Sequence, residues 1–264
     1  MRSVLKVTMV QMCSELGDKE RNCEKTLKAI SSSDSDIICF PEASLTGYTS
    51  REPMLYAVDK DDDLIGKICK ASSEKGIVTV FGFIENNGGM PMVAQAVADN
   101  GKISIYRKTH LGVSERSVFF PGNTIEPITT SKAKIGLVLC WESHFPEIST
   151  LLALRGARLL LMSFASPLNA EQRVENWKRY LPARAYDNGV CVGACNSVKG
   201  DSGGALFIDK DGTVIAERTV RGENELTVDI DISPRIQCND ASKMHGRDFL
   251  ASRRPELYDG SIRR

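Results

Sequence analysis

The chain has 264 residues, 34 basic side chains against 34 acidic ones, and a hydrophobic fraction of 42%. It is long enough to bury a sizeable core, and its composition is that of an ordinary globular protein. A neutral chain with no basic cluster carries neither the electrostatic footprint of a nucleic-acid binder nor a polybasic membrane anchor. No apolar run approaches the roughly 20 residues of a spanning helix. The N-terminal stretch, interrupted by Lys6 and Gln11, does not read as a signal peptide. The expectation is a soluble, cytoplasmic protein whose eight cysteines are reduced. No Cys-x-x-Cys occurs, the closest pair being Cys191 and Cys195, and His110, His144 and His245 form no helix-spaced pair. No metal or cofactor is expected.

In chain order, residues 4–11 ("VLKVTMVQ") read as a strand and residues 18–31 as an amphipathic helix. Asp36–Phe40 is a short buried strand ending at Pro41-Glu42. Residues 61–75 read as a second helix, with the acidic run Asp61–Asp63 as its solvated start. "IVTVFGFIE", "MVAQAVAD" and "KISIYRK" follow as strands joined by the turn signals "NNGGMP" and "NG". Ile135–Cys140 is the next buried strand, then a helix with Pro146 at its start and Gly156 past its end, with Ile148, Leu151 and Leu152 on its inner face. "ARLLLMS" is another strand, and residues 170–187 are helical with Pro182 as an irregularity. "GVCVGAC", "GALFID", "TVIAE" and "ELTVDI" complete the strands, with "DKDG" as a hairpin turn lacking the ligand spacing of a calcium loop. "GDSGG" reads as the loop into "GALFID". Early strand–helix alternation with hairpins mixed in points to an α/β fold with two mixed sheets packed on each other and helices outside.

Three reactive groups fall at strand ends. Glu42 lies just beyond Ile37–Phe40, Lys108 just beyond Ile103–Tyr106, and Cys140 closes its strand. Each has an ordinary reading: a cysteine at the end of an apolar strand is commonly packing material, a lone lysine is commonly solvated, and a glutamate can cap the next segment. Together they supply the parts that thiol catalysis needs, without showing that the three side chains meet. A thiol is only a few per cent ionised at neutral pH and needs a base or a cation beside it, and attack on a carbonyl needs donors for the oxyanion. Strand ends along one sheet edge are where α/β proteins assemble such groups. His144 and His110 raise a rival Cys–His dyad.

"FPEASLTGY", "YRKTHL" and "LCWESHFPE", in that order, resemble the signature blocks of the nitrilase superfamily, the carbon–nitrogen hydrolases, and "ERSVFFPG" and "LPARAYDNGVCV" match between and after them. The resemblance covers almost the entire chain, which implies one domain over 1–264. It implies a four-layer α-β-β-α sandwich and no cofactor, with Glu42, Lys108 and Cys140 as the catalytic set and Glu115 as a second glutamate orienting Lys108 or meeting the leaving group. It also implies a homodimer or higher homo-oligomer, with the helix at Pro146 and the tail from about 245 to 264 at the interface.

The chemistry implied is hydrolysis of a small amide or N-carbamoyl compound through a thioester. Glu42 acts as base and then acid, and Lys108 and the Trp141 N–H hold the oxyanion. Tyr48 and Trp141 line the pocket or the core, and Phe164 and Ala165 shape an acyl pocket or pack ordinarily. Glu147 sits at a helix start, structurally, with Arg184 as a partner. Nitrile hydrolysis, acyl transfer from the same thioester, and a non-catalytic binding protein on the same fold are the alternatives. No charged residue can be assigned to the substrate's far end.

Overall fold

The computed structural model describes residues 3–233 and 246–258. Its strands are β1 (Val4–Gln11), β2 (Ile37–Cys39), β3 (Val78–Glu85), β4 (Met92–Asp99), β5 (Lys102–Arg107), β6 (Ile128–Thr129), β7 (Lys134–Leu139), β8 (Leu159–Phe164), β9 (Cys191–Asn196), β10 (Ala205–Ile208), β11 (Val214–Arg218) and β12 (Asn224–Asp231). The helices are α1 (Lys19–Ser32), α2 (Asp63–Lys75), α3 (Pro146–Leu154), α4 (Ala170–Lys178), α5 (Leu181–Tyr186) and α6 (Gly246–Ala251).

The strands form two six-stranded mixed sheets, in the orders β12-β1-β2-β3-β4-β5 and β11-β10-β9-β8-β7-β6. Period-two alternation explains how they stack. On β7, Ile135, Leu137 and Leu139 point to the core between the sheets, while Val138 points outward to α3. On β8, Leu159 and Leu161 face the other sheet, and Leu160 and Met162 pack with Trp177 and Leu181 of α4 and α5. The outer face of the first sheet is covered by Ile30 of α1 and Ile65 and Ile68 of α2. The result is an α/β sandwich of four layers, α-β-β-α, as expected.

Local chemistry sets the boundaries. Asp18 and Asp62 cap α1 and α2, each accepting a backbone N–H, and Lys19 pairs with Asp62 at 2.8 Å. Asn100 and Gly101 both take positive φ, 47° and 75°, closing the β4–β5 hairpin. In "DKDG" the Asp209 carboxylate accepts the Asp211 and Thr213 N–H groups, closing the β10–β11 hairpin. Residues 170–187 form two helices because the chain breaks before Leu181, with Pro182 in the first turn of α5 where its missing N–H costs nothing. On α3, Ile148 and Leu152 are buried while Leu151 is only half-buried. Of the tail expected at a subunit interface, only 246–258 is described, and His245 lies outside the described residues. Among the described residues, no helix is long and apolar enough to cross a membrane.

Candidate active site

Glu42 stands three residues beyond β2. The chain there leaves the regular ladder yet stays bound to β3. The Leu45 N–H donates to the Gly82 carbonyl at 2.8 Å, and the Ser44 and Thr46 hydroxyls accept from the Gly82 and Ile84 N–H groups at 3.0 Å. A β-carbon on Gly82 would lie 2.3 Å from the Ala43 nitrogen, so only glycine lets this segment pass. The Glu42 carboxylate is thereby held at 2% exposure.

Lys108 follows β5 with both backbone groups engaged, its N–H to Val93 at 2.9 Å and its carbonyl from Gly122 at 2.8 Å. Gly122 too must be glycine, since a β-carbon would lie 2.4 Å from the Arg107 carbonyl oxygen. The Lys108 ammonium, 1% exposed, donates to Glu42 Oε1 and to Glu115 Oε1, both at 2.7 Å. Glu115, 3% exposed, also accepts the Tyr48 hydroxyl at 2.7 Å and the Gly112 N–H at 2.5 Å. Glu115 is thus part of a buried network and not a solvated acidic residue.

Cys140 does not close its strand. β7 ends at Leu139, and Cys140 opens a 3-10 turn, Cys140–His144, with φ of 42°. Positive φ on a residue other than glycine costs on the order of 1 kcal/mol or more and persists where the surroundings enforce it. Glu142, fully buried, does the enforcing. It accepts the Leu139 N–H at 2.8 Å, the Thr109 N–H and hydroxyl at 2.7 Å each, and the Tyr106 hydroxyl at 2.6 Å. One carboxylate thus ties the turn bearing Cys140 to the segment bearing Lys108. Nothing in periodicity marks Glu142; its place two residues after the thiol was the one available signal.

The three groups do not share one sheet edge, as the sequence suggested. β2 and β5 belong to the first sheet and β7 to the second, so the thiol faces the carboxylate and ammonium across the sandwich. They are close enough to act on one another's charge. Burial pushes the Cys140 thiol up to about 12, with the Glu42 charge adding and Lys108 opposing. Burial also raises Glu42 to about 7, against the pull of Lys108. For Lys108, burial opposes the charge, but Glu42, Cys140 and Glu115 outweigh it and the pKa is raised. The resting set is a neutral thiol, a carboxylate near its titration point and a fixed cation.

A cavity of about 480 Å³ opens against Glu42 and Tyr48, with Ala165, Ser166 and Val198 also in its wall. Phe164 is not in that wall; it is buried against Trp177 at 4.8 Å between ring centroids. Trp141 is 37% exposed, its ring 5.5 Å from that of His144. Its N–H belongs to the first turn of a 3-10 helix, whose leading donors have no partner within the helix. Neither histidine supports the rival dyad. His110 Nδ1 shares a 2.8 Å hydrogen bond with the Thr109 hydroxyl, and His144 stacks on Tyr180 at 4.7 Å. Glu147 is exposed, and Arg184 donates to the Ser143 and His144 carbonyls at 3.3 and 3.4 Å. Among the described residues, no three His, Cys, Asp or Glu side chains cluster so as to hold a metal.

The sequence model for the carbon-nitrogen hydrolase family matches residues 6–239. A glutamine-dependent NAD(+) synthetase of Thermotoga maritima is 30% identical over 88% of this chain, which spans only 43% of that protein. An (R)-stereoselective amidase of a Pseudomonas species is 28% identical, over 86% of this chain and 85% of its own. The crystal structure of a carbon-nitrogen hydrolase from Helicobacter pylori G27 superposes with a TM-score of 0.82 over 99% of both chains, at 20% identity. With a family match over most of its length and a relative named an amidase over most of both chains, the chain belongs to the carbon–nitrogen hydrolase family and is a hydrolase acting on C–N bonds.

Proposed function

We propose that this chain hydrolyses a small amide or N-carbamoyl compound through a thioester on Cys140. The observation that carries the proposal is the buried ammonium of Lys108, held at 2.7 Å by both Glu42 and Glu115 beside a thiol on a positive-φ turn.

In the resting site the thiol keeps its proton. As Sγ bonds to the substrate carbonyl carbon, that proton passes to the Glu42 carboxylate, whose raised pKa makes it a competent base near neutral pH. An ammonium has three N–H groups; two of those on Lys108 serve the glutamates, and the third is free for the oxyanion. The Trp141 N–H is the second donor. One such donor contributes about 3–4 kcal/mol to the transition state. Glu115 positions Lys108. The tetrahedral adduct collapses by breaking the C–N bond, with the Glu42 proton going to the departing nitrogen. Water then adds to the thioester, giving its proton to Glu42, and the C–S bond breaks as that proton returns to sulfur.

Supporting this reading are the burial of Glu42, Lys108 and Glu115, their mutual polarisation with Cys140, and a relative named an amidase over most of both chains. Intact-mass measurement across a panel of amides tests it. The expected result is an acyl adduct on the wild type, ammonia in solution, and neither with Cys140→Ala. An adduct that survives Cys140→Ala sinks the assignment.

A further inference from the structure

Arg173 lies in the first turn of α4, 7% exposed, with its guanidinium 5.4 Å from the Phe164 ring centroid and 5.3 Å from that of Trp177. Its Nη1 donates to Ser166 Oγ at 3.2 Å, and its Nε is buried without any partner. Among the described residues no carboxylate pairs with it. This arrangement is expensive: a desolvated cation costs several kcal/mol unless an anion answers it, and aromatic faces return only about 2 kcal/mol. The start of α4 adds to the cost, because a helix N-terminus favours negative charge.

Ser166 shows where the missing anion belongs. It lines the cavity that Glu42 and Tyr48 also line. Its backbone is clamped by Asn196, which accepts the Ser166 N–H at 2.8 Å and donates to its carbonyl at 3.0 Å. Its hydroxyl oxygen accepts from Arg173 and from the Leu168 N–H, so the hydroxyl proton remains to be donated. Cys140 is near enough to feel the guanidinium charge. Ser166 carries its hydroxyl on the cavity wall and the Arg173 guanidinium stands directly behind it at 3.2 Å, and a guanidinium and a hydroxyl together suit the two oxygens of a carboxylate.

We infer that Arg173 and Ser166 bind a carboxylate at the far end of the substrate, so that the amide cleaved at Cys140 is the monoamide of a short dicarboxylic acid or a compound of that charge and length. The inference rests on the amidase reading above and narrows it.

The test compares kcat/KM for monoamides of short linear dicarboxylic acids with that for chain-matched amides ending in methyl. The wild type is expected to prefer the carboxylate series by about 10–100-fold, the worth of one charge-assisted hydrogen-bonding site. Arg173→Gln should collapse that ratio, chiefly through KM, and Arg173→Lys should restore part of it, with circular dichroism confirming the fold. Equal or better turnover of the methyl series by the wild type overturns the inference and leaves the amidase reading intact. So does a ratio that Arg173→Gln does not change. Absence of ammonia and of a Cys140 adduct in both series overturns the amidase reading and removes this inference with it.

Discussion

Two cations lie almost fully buried within electrostatic reach of the same thiol, and their surroundings are opposite. Lys108 is answered by two carboxylates at 2.7 Å, whereas Arg173 rests on two aromatic faces and one hydroxyl. The desolvation of Lys108 is offset inside the protein, so its position is set before any substrate arrives, and two of its three N–H groups are spent. Arg173 is held by packing and left short of charge. The first is built to keep its partners. The second is built to gain one, and each reaches the same cavity through one partner in its lining, Lys108 through Glu42 and Arg173 through Ser166.

The comparison breaks first at the sulfur both cations face. Cys140→Ala should remove at least about 10⁴-fold of kcat in ammonia release without moving the melting temperature, because removing a nucleophile leaves only binding and oxyanion stabilisation. The cations themselves should then part in stability. Lys108→Met leaves Glu42 and Glu115 buried without their counter-ion, at an expected cost of about 3–5 kcal/mol in denaturant unfolding and roughly 10³-fold in kcat. Arg173→Met keeps an apolar stem between Phe164 and Trp177 and deletes an unanswered charge, so its unfolding free energy should be unchanged or higher. Equal destabilisation by the two substitutions would show that Arg173 is as well compensated as Lys108.

A smaller effect separates the groups by pH. Burial raises Glu42 to about 7, and its ionised form is the base, so kcat/KM should rise about tenfold per unit below that value and flatten above it. The thiol, pushed to about 12, gives no second limb near neutrality. A rate that falls as pH rises through 7 would make the protonated carboxyl the working form. The stability sign is the reverse. The folded state holds the Glu42 proton more tightly than an ordinary glutamic acid near 4.3, so this stabilisation is present below about 4.3 and lost as pH climbs towards 7. Glu42→Gln should flatten both profiles.

How legible these features were follows from the range of the forces that make them. The short apolar runs of β7 and β8 and the Asn100–Gly101 turn are local, and they predicted strands and hairpin. The sheet that each strand joins is not local. β12 pairs with β1 across the whole chain, and nothing short-range assigns β2 and β7 to opposite sheets. β6, two residues long, is too short to show a period. Glu42, Lys108 and Cys140 were visible because the chemistry of a thiol demands companions at strand ends and the sequence blocks around them resemble a known family. Arg173 was not, since on α4 it reads as one polar position beside buried Val174 and Trp177. Helical periodicity gives the face a side chain takes, not whether a charge placed there finds an opposite one.

The bonds of Glu142 were illegible for the same reason, and it supplies the finest test of the contrast, because it joins the turn of Cys140 to the segment of Lys108 and not to Arg173. Tyr106→Phe deletes one of its donors, the 2.6 Å bond from the phenol, and leaves those from Leu139 and Thr109. A hydrogen bond to a buried carboxylate is worth about 1.5–3 kcal/mol, so unfolding should become easier by an amount in that range. The carboxylate can also shift by a few tenths of an ångström, and thiol and ammonium then lose registration. We expect kcat to fall several-fold, KM to hold, and the preference for carboxylate-bearing substrates to stay as in the wild type. A loss of stability with kcat untouched would make Glu142 a brace for the loops alone. A loss of selectivity would mean that the two cations are coupled through the turn and are not the independent devices their surroundings indicate.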